Sequence, residues 1–218
     1  MDYTEKVIEL FRNPKNVGEL ENPSVSVQEG SPACGDIIQL QLKIDENGRI
    51  EDVKFKSFGC ASNIATASIA TEMIKGKHID EAEKISWAEV TKELGGLPKV
   101  KVHCSVLAVD AIKQAIERYK IEKGITKVNA ESITKDFILR KLRHVIDPSV
   151  GTDIVRLKEV LYVGIEKEGD SVDVLIQMRK QENDELEAHM KEEIREKLEF
   201  IPKIRKIEIE FVDHPQLI

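Results

Sequence analysis

The order of apolar and polar positions predicts a short helix followed by an antiparallel sheet. Apolar residues in the segment 7–11 recur at helical spacing. Val25 to Val27 is typical of an edge strand, and Ile38 to Ile44 alternates apolar with polar positions as a half-buried strand does. The turn residues Asp45 to Gly48, which include Asn-Gly, then predict a hairpin whose return strand spans about 50–58.

Helical patterns follow this sheet. The pattern predicts a helix from Ala61 to Lys75, and small residues fill its first half. Small residues let other backbones or a ligand approach closely. Gly76 is a plausible C-cap for this helix. A short helix is predicted at Trp87 to Leu94, and a longer one at Val106 to Tyr119 with a continuous apolar stripe.

The second half of the chain has a different order of elements. After a stretch at Gly124 to Ala130 that resembles a linker, Ser132 could cap a helix. Two strands, another helix that begins at Asn183 or Asp184, and a final strand follow. The order α-β-β-α-β predicts a small α+β domain.

The length and the elements together predict two domains. A chain of 218 residues fits one large domain or two small ones. We expect a first domain at residues 1–124, a linker at 125–130 and a second domain at 131–218. The fold class is α+β for both.

Composition and charge narrow the classes of protein. The net charge of -7 argues against a strongly basic nucleic-acid binder. No run approaches the roughly 20 apolar residues that a membrane-spanning helix needs, so no membrane partner is expected. The N-terminus has neither a signal peptide nor a transit pattern. With free thiols, which persist in a reducing compartment, this predicts a cytoplasmic protein.

The three cysteines are the candidate chemistry, and an odd, small number of them is not a disulfide framework. Cys34 lies in a loop before a strand, Cys60 at a strand-to-helix turn, and Cys104 at the start of a helix. A helix N-terminus favours the thiolate, which binds soft metals or attacks sulfur. The alternative is that the cysteines are buried, inert apolar residues, and their wide spacing matches no compact zinc motif.

Two neighbours of the cysteines favour a metal site. Asp36 offers an oxygen ligand two positions after Cys34, and His103 offers a nitrogen ligand directly before Cys104. Three sulfur ligands with one nitrogen or oxygen suit tetrahedral zinc or an iron–sulfur centre.

Several separated motifs carry a resemblance to a known family. They are the opening segment Asp2-Tyr3 through Asn13-Pro14-Lys15-Asn16-Val17-Gly18, then Ala33-Cys34-Gly35-Asp36, Phe58-Gly59-Cys60-Ala61-Ser62 and Val102-His103-Cys104-Ser105. Residues 1–124 therefore resemble the IscU/NifU iron–sulfur cluster assembly scaffolds, with a NifU-like opening. The resemblance implies an IscU-like α/β sandwich, in which helices cover a small antiparallel sheet.

The resemblance also implies a site and partners. Cys34, Cys60 and Cys104 would hold a nascent cluster, expected to be [2Fe-2S], with Asp36 or His103 as the fourth ligand; zinc could occupy the same ligands. A PLP-dependent cysteine desulfurase would deliver sulfur as persulfide, with Cys104 as the acceptor. Apo iron–sulfur proteins would then receive the cluster.

Two alternatives to a scaffold remain. The first is a SufU-like, zinc-dependent sulfurtransferase, but that branch has an insertion before the third cysteine and lacks the preceding histidine, whereas His103 is present here. The second is a structural zinc protein that binds partners. A chaperone partner is left open, because Lys99 replaces the second proline of the family's Leu-Pro-Pro-Val-Lys motif.

Residues 131–218 resemble the SufT/PaaD-like domain, which implies a role in iron–sulfur targeting or maturation. The matching segments are 145–155 and 161–163, together with the β-β-α-β order. No cysteine follows Cys104, so thiol chemistry is excluded in this domain. His144, Asp147 and Asp153 could form a metal or acid–base cluster, but Asp147-Pro148 is also good turn chemistry, which we favour.

Overall fold

The chain divides into two compact units, residues 1–119 and residues 120–218. The structure is a computed structural model that describes residues 3–30, 35–147, 149–150 and 152–213. Two units are consistent with the predicted two domains, while the exact boundary after Gly124 stays a prediction. Across the described ranges, no helix combines the length and the apolar composition needed to cross a membrane.

The first unit contains a three-stranded sheet and the helices that accompany it. Its elements in chain order are α1 (Glu5–Arg12), β1 (Val25–Gly30), β2 (Ile37–Ile44), β3 (Ile50–Phe58), α2 (Ala61–Ile74), α3 (Ile79–Ala82), α4 (Trp87–Glu93) and α5 (Val102–Glu122). The strands are antiparallel in the order β1-β2-β3. Burial alternates along β1 and β2, as expected when one face of a sheet packs on the core.

Local chemistry explains why the first elements begin and end where they do. The side chain of Thr4 caps α1 by accepting from the backbone N–H of Val7. In the β2–β3 hairpin, Asp45 Oδ1 accepts from the backbone N–H of Asn47 at 2.8 Å. Gly48 has φ +77°, a left-handed conformation that the turn requires and that glycine adopts without steric cost. The predicted hairpin is therefore confirmed.

Helix α2 is buried on most of its surface. Ten of its residues are buried, and several of these are small or polar. The polar ones bond to neighbouring segments: Ser68 Oγ accepts from the backbone N–H of Lys15, and Asn63 Nδ2 donates to Ser57 Oγ. A helix of small residues can lie this deep because neighbouring segments approach its backbone closely.

Two details of the first unit differ from the prediction. The short helix α3 and a single 3₁₀ turn at Lys99–Lys101 were not predicted. Helix α5 begins at Val102, four residues before the predicted start, because the 3₁₀ turn leads directly into it without a conventional capping residue. His103 and Cys104 therefore belong to the first helical turn.

The second unit has the predicted order of helices and longer strands, with a strand pair added and with a 3₁₀ turn at Ala130–Ser132 before its first helix. Its elements are α6 (Lys135–Leu142), β4 (Ile146–Asp147), β5 (Thr152–Asp153), β6 (Val160–Glu168), β7 (Ser171–Arg179), α7 (Asp184–Leu198) and β8 (Ile204–Val212). The addition is the two-residue pair β4–β5, which flanks the segment predicted as a turn. Pro148, Gly151 and His214 lie outside the described residues.

The main sheet of the second unit is mixed. Its order is β6-β7-β8, with β6 and β7 antiparallel and β7 and β8 parallel. The parallel pair follows from the connection, since a helix between two neighbouring strands returns the chain to the same end of the sheet. The core of this unit joins residues of the sheet, α6 and α7, among them Ile138, Leu142, Ile176, Met190 and Ile194.

Candidate functional site

Cys60 lies where strand β3 passes into helix α2. It is the N-cap residue of α2, with an extended backbone (φ -76°, ψ 166°), and its side chain makes no capping hydrogen bond. The thiol is partly exposed. Because the side chain is not used for capping, the sulfur beside the helix N-terminus is available to a ligand.

His103 and Cys104 reach the site from the first turn of α5. Cys104 is fully buried, and His103 is partly exposed. Neither α2 nor α5 has an acidic residue in its first turn. Cys60 and Cys104 thus lie at the N-terminal ends of two helices, as the sequence predicts, where the positive end of each helix dipole attracts anionic groups.

Four of the five predicted ligands form one cluster. The ligand atoms of Asp36, His103 and Cys104 all lie within 4.8 Å of one another. The Sγ atom of Cys60 is 3.8 Å from the Sγ atom of Cys104. Cys34, the fifth predicted ligand, lies outside the described residues. The cluster thus brings together sulfur, nitrogen and oxygen donors from three separate parts of the first unit.

Two ligand atoms in this cluster have no hydrogen-bond partner among the described residues. They are Asp36 Oδ2 and His103 Nε2, and both atoms are buried. Buried polar atoms are nearly always hydrogen-bonded, so an orphan requires an explanation such as a bound ion. A metal ion bound by these two atoms and the buried thiol would supply the missing partners.

Gly59 makes room for the Asp36 carboxylate. A Cβ atom at Gly59 would lie 2.6 Å from Asp36 Cγ and 2.8 Å from Asn63 Nδ2, both far inside normal contact distance. From the sequence, Gly35 and Gly59 are expected to free the backbone beside the cysteines to turn toward a ligand. The structure adds a steric role for Gly59. Gly35 differs, because its φ of +71° is left-handed and it needs glycine for its backbone conformation.

Lys101 adds a positive charge to the site. The pKa of its ammonium group is raised, chiefly by the charge of the Cys60 thiolate, with smaller contributions from Tyr3 and Cys104. No role for Lys101 is predicted from the sequence. Its position two residues before His103 is the sequence feature that could have indicated a role, because it places Lys101 directly before the first turn of α5.

Sulfur, imidazole and carboxylate donors in one buried cluster can hold a soft or borderline metal ion. Thiolates and imidazole suit zinc and iron, whereas a carboxylate oxygen is the weakest match for a soft metal. The family model described as NifU-like N terminal domain matches residues 2–126. The chain belongs to this family.

Relatives of the NifU-like domain carry informative names. The Drosophila melanogaster "Iron-sulfur cluster assembly enzyme IscU" is 54% identical over 124 residues, which are 56% of this chain and 80% of that protein. The Haemophilus influenzae "Iron-sulfur cluster assembly scaffold protein IscU" is 53% identical over 127 residues, 57% of this chain and 100% of that protein.

A solved structure is also similar to the NifU-like domain. It is the N-terminal part of a nitrogen-fixing NifU-like protein from Brucella abortus, which is 21% identical, covers 54% of this chain and 93% of its own, and has a TM-score of 0.45.

Proposed function

We propose that the NifU-like domain is a scaffold on which an iron–sulfur cluster is assembled and from which it passes to acceptor apoproteins. The observation that carries the proposal is the cluster of Cys60, His103, Cys104 and Asp36, in which two ligand atoms lack partners. The names of the Drosophila and Haemophilus relatives support it, because both describe iron–sulfur cluster assembly. The cluster is cargo in this proposal, and the domain binds it without consuming it.

The ligand set we propose is Cys34, Cys60 and Cys104, with Asp36 or His103 in the fourth position and a [2Fe-2S] cluster as cargo. Three thiolates give strong iron–sulfur bonds. An oxygen or nitrogen donor in the fourth position binds the soft cluster less well, which makes release easier. A site that must first bind a cluster and then release it benefits from one weaker ligand.

Sulfur would come from a cysteine desulfurase as the terminal sulfur of its persulfide. A thiolate of the scaffold attacks that terminal sulfur and forms a new persulfide. The S–S bond of the desulfurase persulfide breaks, and the desulfurase cysteine leaves as a thiolate. We propose Cys104 as the acceptor. Cys60 competes for the role because it is partly exposed, whereas Cys104 is buried. Lys101 interacts electrostatically with both cysteines and would attract an anionic persulfide.

A zinc-dependent sulfurtransferase of the SufU type is the alternative. The same donors suit tetrahedral zinc, and a zinc-bound site could still accept persulfide sulfur. A cytoplasmic location also stays a prediction, and a chaperone partner stays open because Lys99 breaks the Leu-Pro-Pro-Val-Lys motif.

Anaerobic reconstitution tests the scaffold. With ferrous iron, cysteine and a desulfurase, the full chain should develop visible charge-transfer absorption, and Cys60→Ala or Cys104→Ala should lose most of it. The matched control is Val106→Ala, an exposed position on the same helix, which should assemble a cluster normally. A colourless protein that binds one zinc tightly and turns over persulfide quickly would contradict the scaffold and favour the sulfurtransferase.

The second unit has its own proposed role. We infer that this SufT/PaaD-like domain recruits acceptor proteins or assists transfer of the cluster, since it contributes no thiol. The proposal rests on the resemblance of the segment around Asp147 and on the mixed sheet with two helices.

A further inference from the structure

The mixed sheet of the second unit has a face that the hydrophobic core does not use. Successive side chains of a strand point to opposite faces of a sheet, and Val163, Val174 and Ile207 point into the core that α6 and α7 complete. The alternate positions of the same strands form the opposite face. We call it the outer face, and it comprises Tyr162, Gly164, Glu166, Asp173, Leu175, Lys206 and Glu208.

A recess of about 250 Å³ opens on the outer face, and all seven of these residues line it. Gly164 lies in the middle of β6, and a Cβ atom there would be 2.9 Å from Tyr162 Cε1. The missing side chain therefore lets the tyrosine ring lie over the strand and form one wall. Pockets for small-molecule ligands usually measure roughly 300–1,000 Å³, so this recess suits a single side chain of a partner better than a cofactor.

The charged groups of the recess are mainly acidic. Asp173 is bound by Arg205, with 2.6 Å between Oδ2 and Nη2. Glu208 is bound by Lys206, with 2.5 Å between Oε1 and Nζ, but both side chains of this pair are more than half exposed. Such a pair contributes little, so a cation from a partner can take the place of Lys206 at small cost.

Glu166 is the carboxylate of the recess that is left over. It is exposed, and its side chain makes neither an ion pair nor a hydrogen bond with any residue that the structure describes. Leu175, beside it on the outer face, is only partly buried and does not belong to the core. The recess therefore combines an unpaired negative charge with apolar surface.

This combination favours a guanidinium group as the occupant. A guanidinium is planar, is less strongly hydrated than an ammonium group, stacks on aromatic rings and pairs with carboxylates. The Tyr162 ring already has one cation near it, since Lys135 Nζ lies 5.7 Å from the ring centroid. An arginine side chain in the recess would pack its apolar stem against Leu175 and Tyr162 and pair its charge with Glu166.

We propose that the outer face binds a basic segment of a partner protein, with one arginine side chain of that segment inserted in the recess. The proposal rests on the recruiting role proposed for the second unit and gives that role a surface and a partner chemistry. A nucleic acid or an anionic membrane does not fit this face, because either would bring negative charge to Glu166, Asp173 and Glu208.

Nuclear magnetic resonance on the full chain with a defined peptide tests the proposal. The probe is an acetylated, amidated pentapeptide of sequence Lys-Gly-Arg-Gly-Lys, and its matched control has citrulline, which is uncharged and of similar shape, in place of arginine. The arginine peptide should shift the amide signals of Gly164 and Leu175 in a saturable way. The citrulline peptide should bind at least about fivefold more weakly.

Variants of the chain locate the contact. Glu166→Gln and Tyr162→Ala should each weaken binding of the arginine peptide about two- to fivefold, because one removes the unpaired charge and the other removes the aromatic wall. Glu192→Gln is the matched control. It removes the same charge from an exposed position on α7, which packs on the other face of the sheet, and should leave the affinity unchanged.

Four results would overturn the proposal. The first is a citrulline peptide that binds as tightly as the arginine peptide. The second is equal weakening by Glu192→Gln and Glu166→Gln, which would mean that only net charge matters. The third is a Gly164 signal that shifts with the concentration of the protein alone, which would make a second copy of this chain the occupant. The fourth is the same shift with millimolar magnesium alone, which would make the recess a cation site.

The recruiting role itself is judged by a different measurement, the transfer of a cluster from a chain that ends after Gly124. If this truncation slows transfer but the arginine peptide does not bind, the second unit recruits acceptors through another surface, and only the proposal for the outer face fails. If the truncation leaves transfer unchanged, the recruiting role fails.

Discussion

The two units of this chain keep unpartnered polar atoms in their interiors, but the atoms differ in kind. In the first unit, two of these atoms, in Asp36 and His103, lie close to the thiol of Cys104. In the second, the unpartnered oxygen belongs to the buried carboxyl group of Glu159, whose pKa is raised to about 7, chiefly by burial. A proton can neutralise a buried carboxyl group, whereas an imidazole nitrogen, a carboxylate and a thiol within 4.8 Å of one another match a metal.

The comparison indicates that the donor set, rather than burial alone, distinguishes the candidate metal site from a buried carboxyl group that binds a proton. Both sites are built at the ends of regular elements, where backbone and side chains of different segments meet. The first site lies at the N-termini of α2 and α5, whose dipoles attract anionic sulfur. The second lies directly before β6, where the backbone carbonyl of Glu159 accepts from the N–H of Arg179 at the end of β7.

Removal of the second unit should distinguish the roles of the two units most clearly. A chain that ends after Gly124 retains the whole of α5, and we expect its cluster assembly to stay within about twofold of the full chain. Transfer to an apo-acceptor should slow by roughly fivefold or more, because the proposed recruiting surface is gone. Stopped-flow absorption during transfer measures the effect.

Loss of assembly in this truncated chain would show that the division of labour is wrong. Unchanged transfer would show that the second unit does not recruit acceptors.

Two glycine substitutions compare the packing of the units directly. Gly59→Ala drives a Cβ into the Asp36 carboxylate and Asn63, so we expect a cost of about 1–3 kcal/mol in the free energy of unfolding and a loss of cluster. Gly164→Ala is the matched change in the second unit. Its Cβ would lie 2.9 Å from the ring of Tyr162, the far end of a side chain that can rotate, so the cost should stay under about 1 kcal/mol.

Calorimetry of both variants, together with the visible spectrum, separates the outcomes. Equal losses in the two variants would mean that the Asp36 carboxylate moves as easily as the Tyr162 ring, which would remove the steric argument for Gly59.

The smallest expected effect concerns Lys101. The raised pKa of its ammonium group reflects a Coulombic interaction with Cys60, so removal of this charge in Lys101→Gln should slow alkylation of Cys60 by iodoacetamide roughly two- to fivefold at neutral pH. Lys99→Gln, an exposed neighbour in the same 3₁₀ turn, is the control and should leave the rate unchanged. Peptide mass spectrometry over time resolves the rate at Cys60. If both variants slow the reaction alike, a diffuse positive field acts on the thiol rather than Lys101.

Much of the fold could be predicted because hydrophobic periodicity reports on burial. The hairpin around Gly48, the buried helix from Ala61 and the β-β-α-β order of the second unit all follow from local patterns. The site was predictable in part, because Asp36 and His103 accompany cysteines in the sequence. Their meeting in one cluster depends on tertiary packing, which single-residue patterns do not encode.

Other features could not be predicted for identifiable reasons. A glutamate such as Glu159 is normally exposed, so its burial depends on how segments such as the end of β7, whose Arg179 N–H donates to its carbonyl, pack around it. The steric role of Gly59 depends on where the Asp36 side chain turns. The parallel pairing of β7 with β8 depends on the direction in which α7 returns the chain.

The parallel pair in the second unit also bears on the order of folding. Strands β6 and β7 meet across a short turn, with Glu168 opposite Ser171, whereas Val172 of β7 finds Ile204 of β8 only after the whole of α7 intervenes. Contacts between distant residues cost more chain entropy to form than local ones. The hairpin should therefore form early, and β8 should join last, once α7 has formed and brought it back. Until then the far edge of β7 is open, which makes the final strand the step at which a newly synthesised chain is most exposed to mispairing.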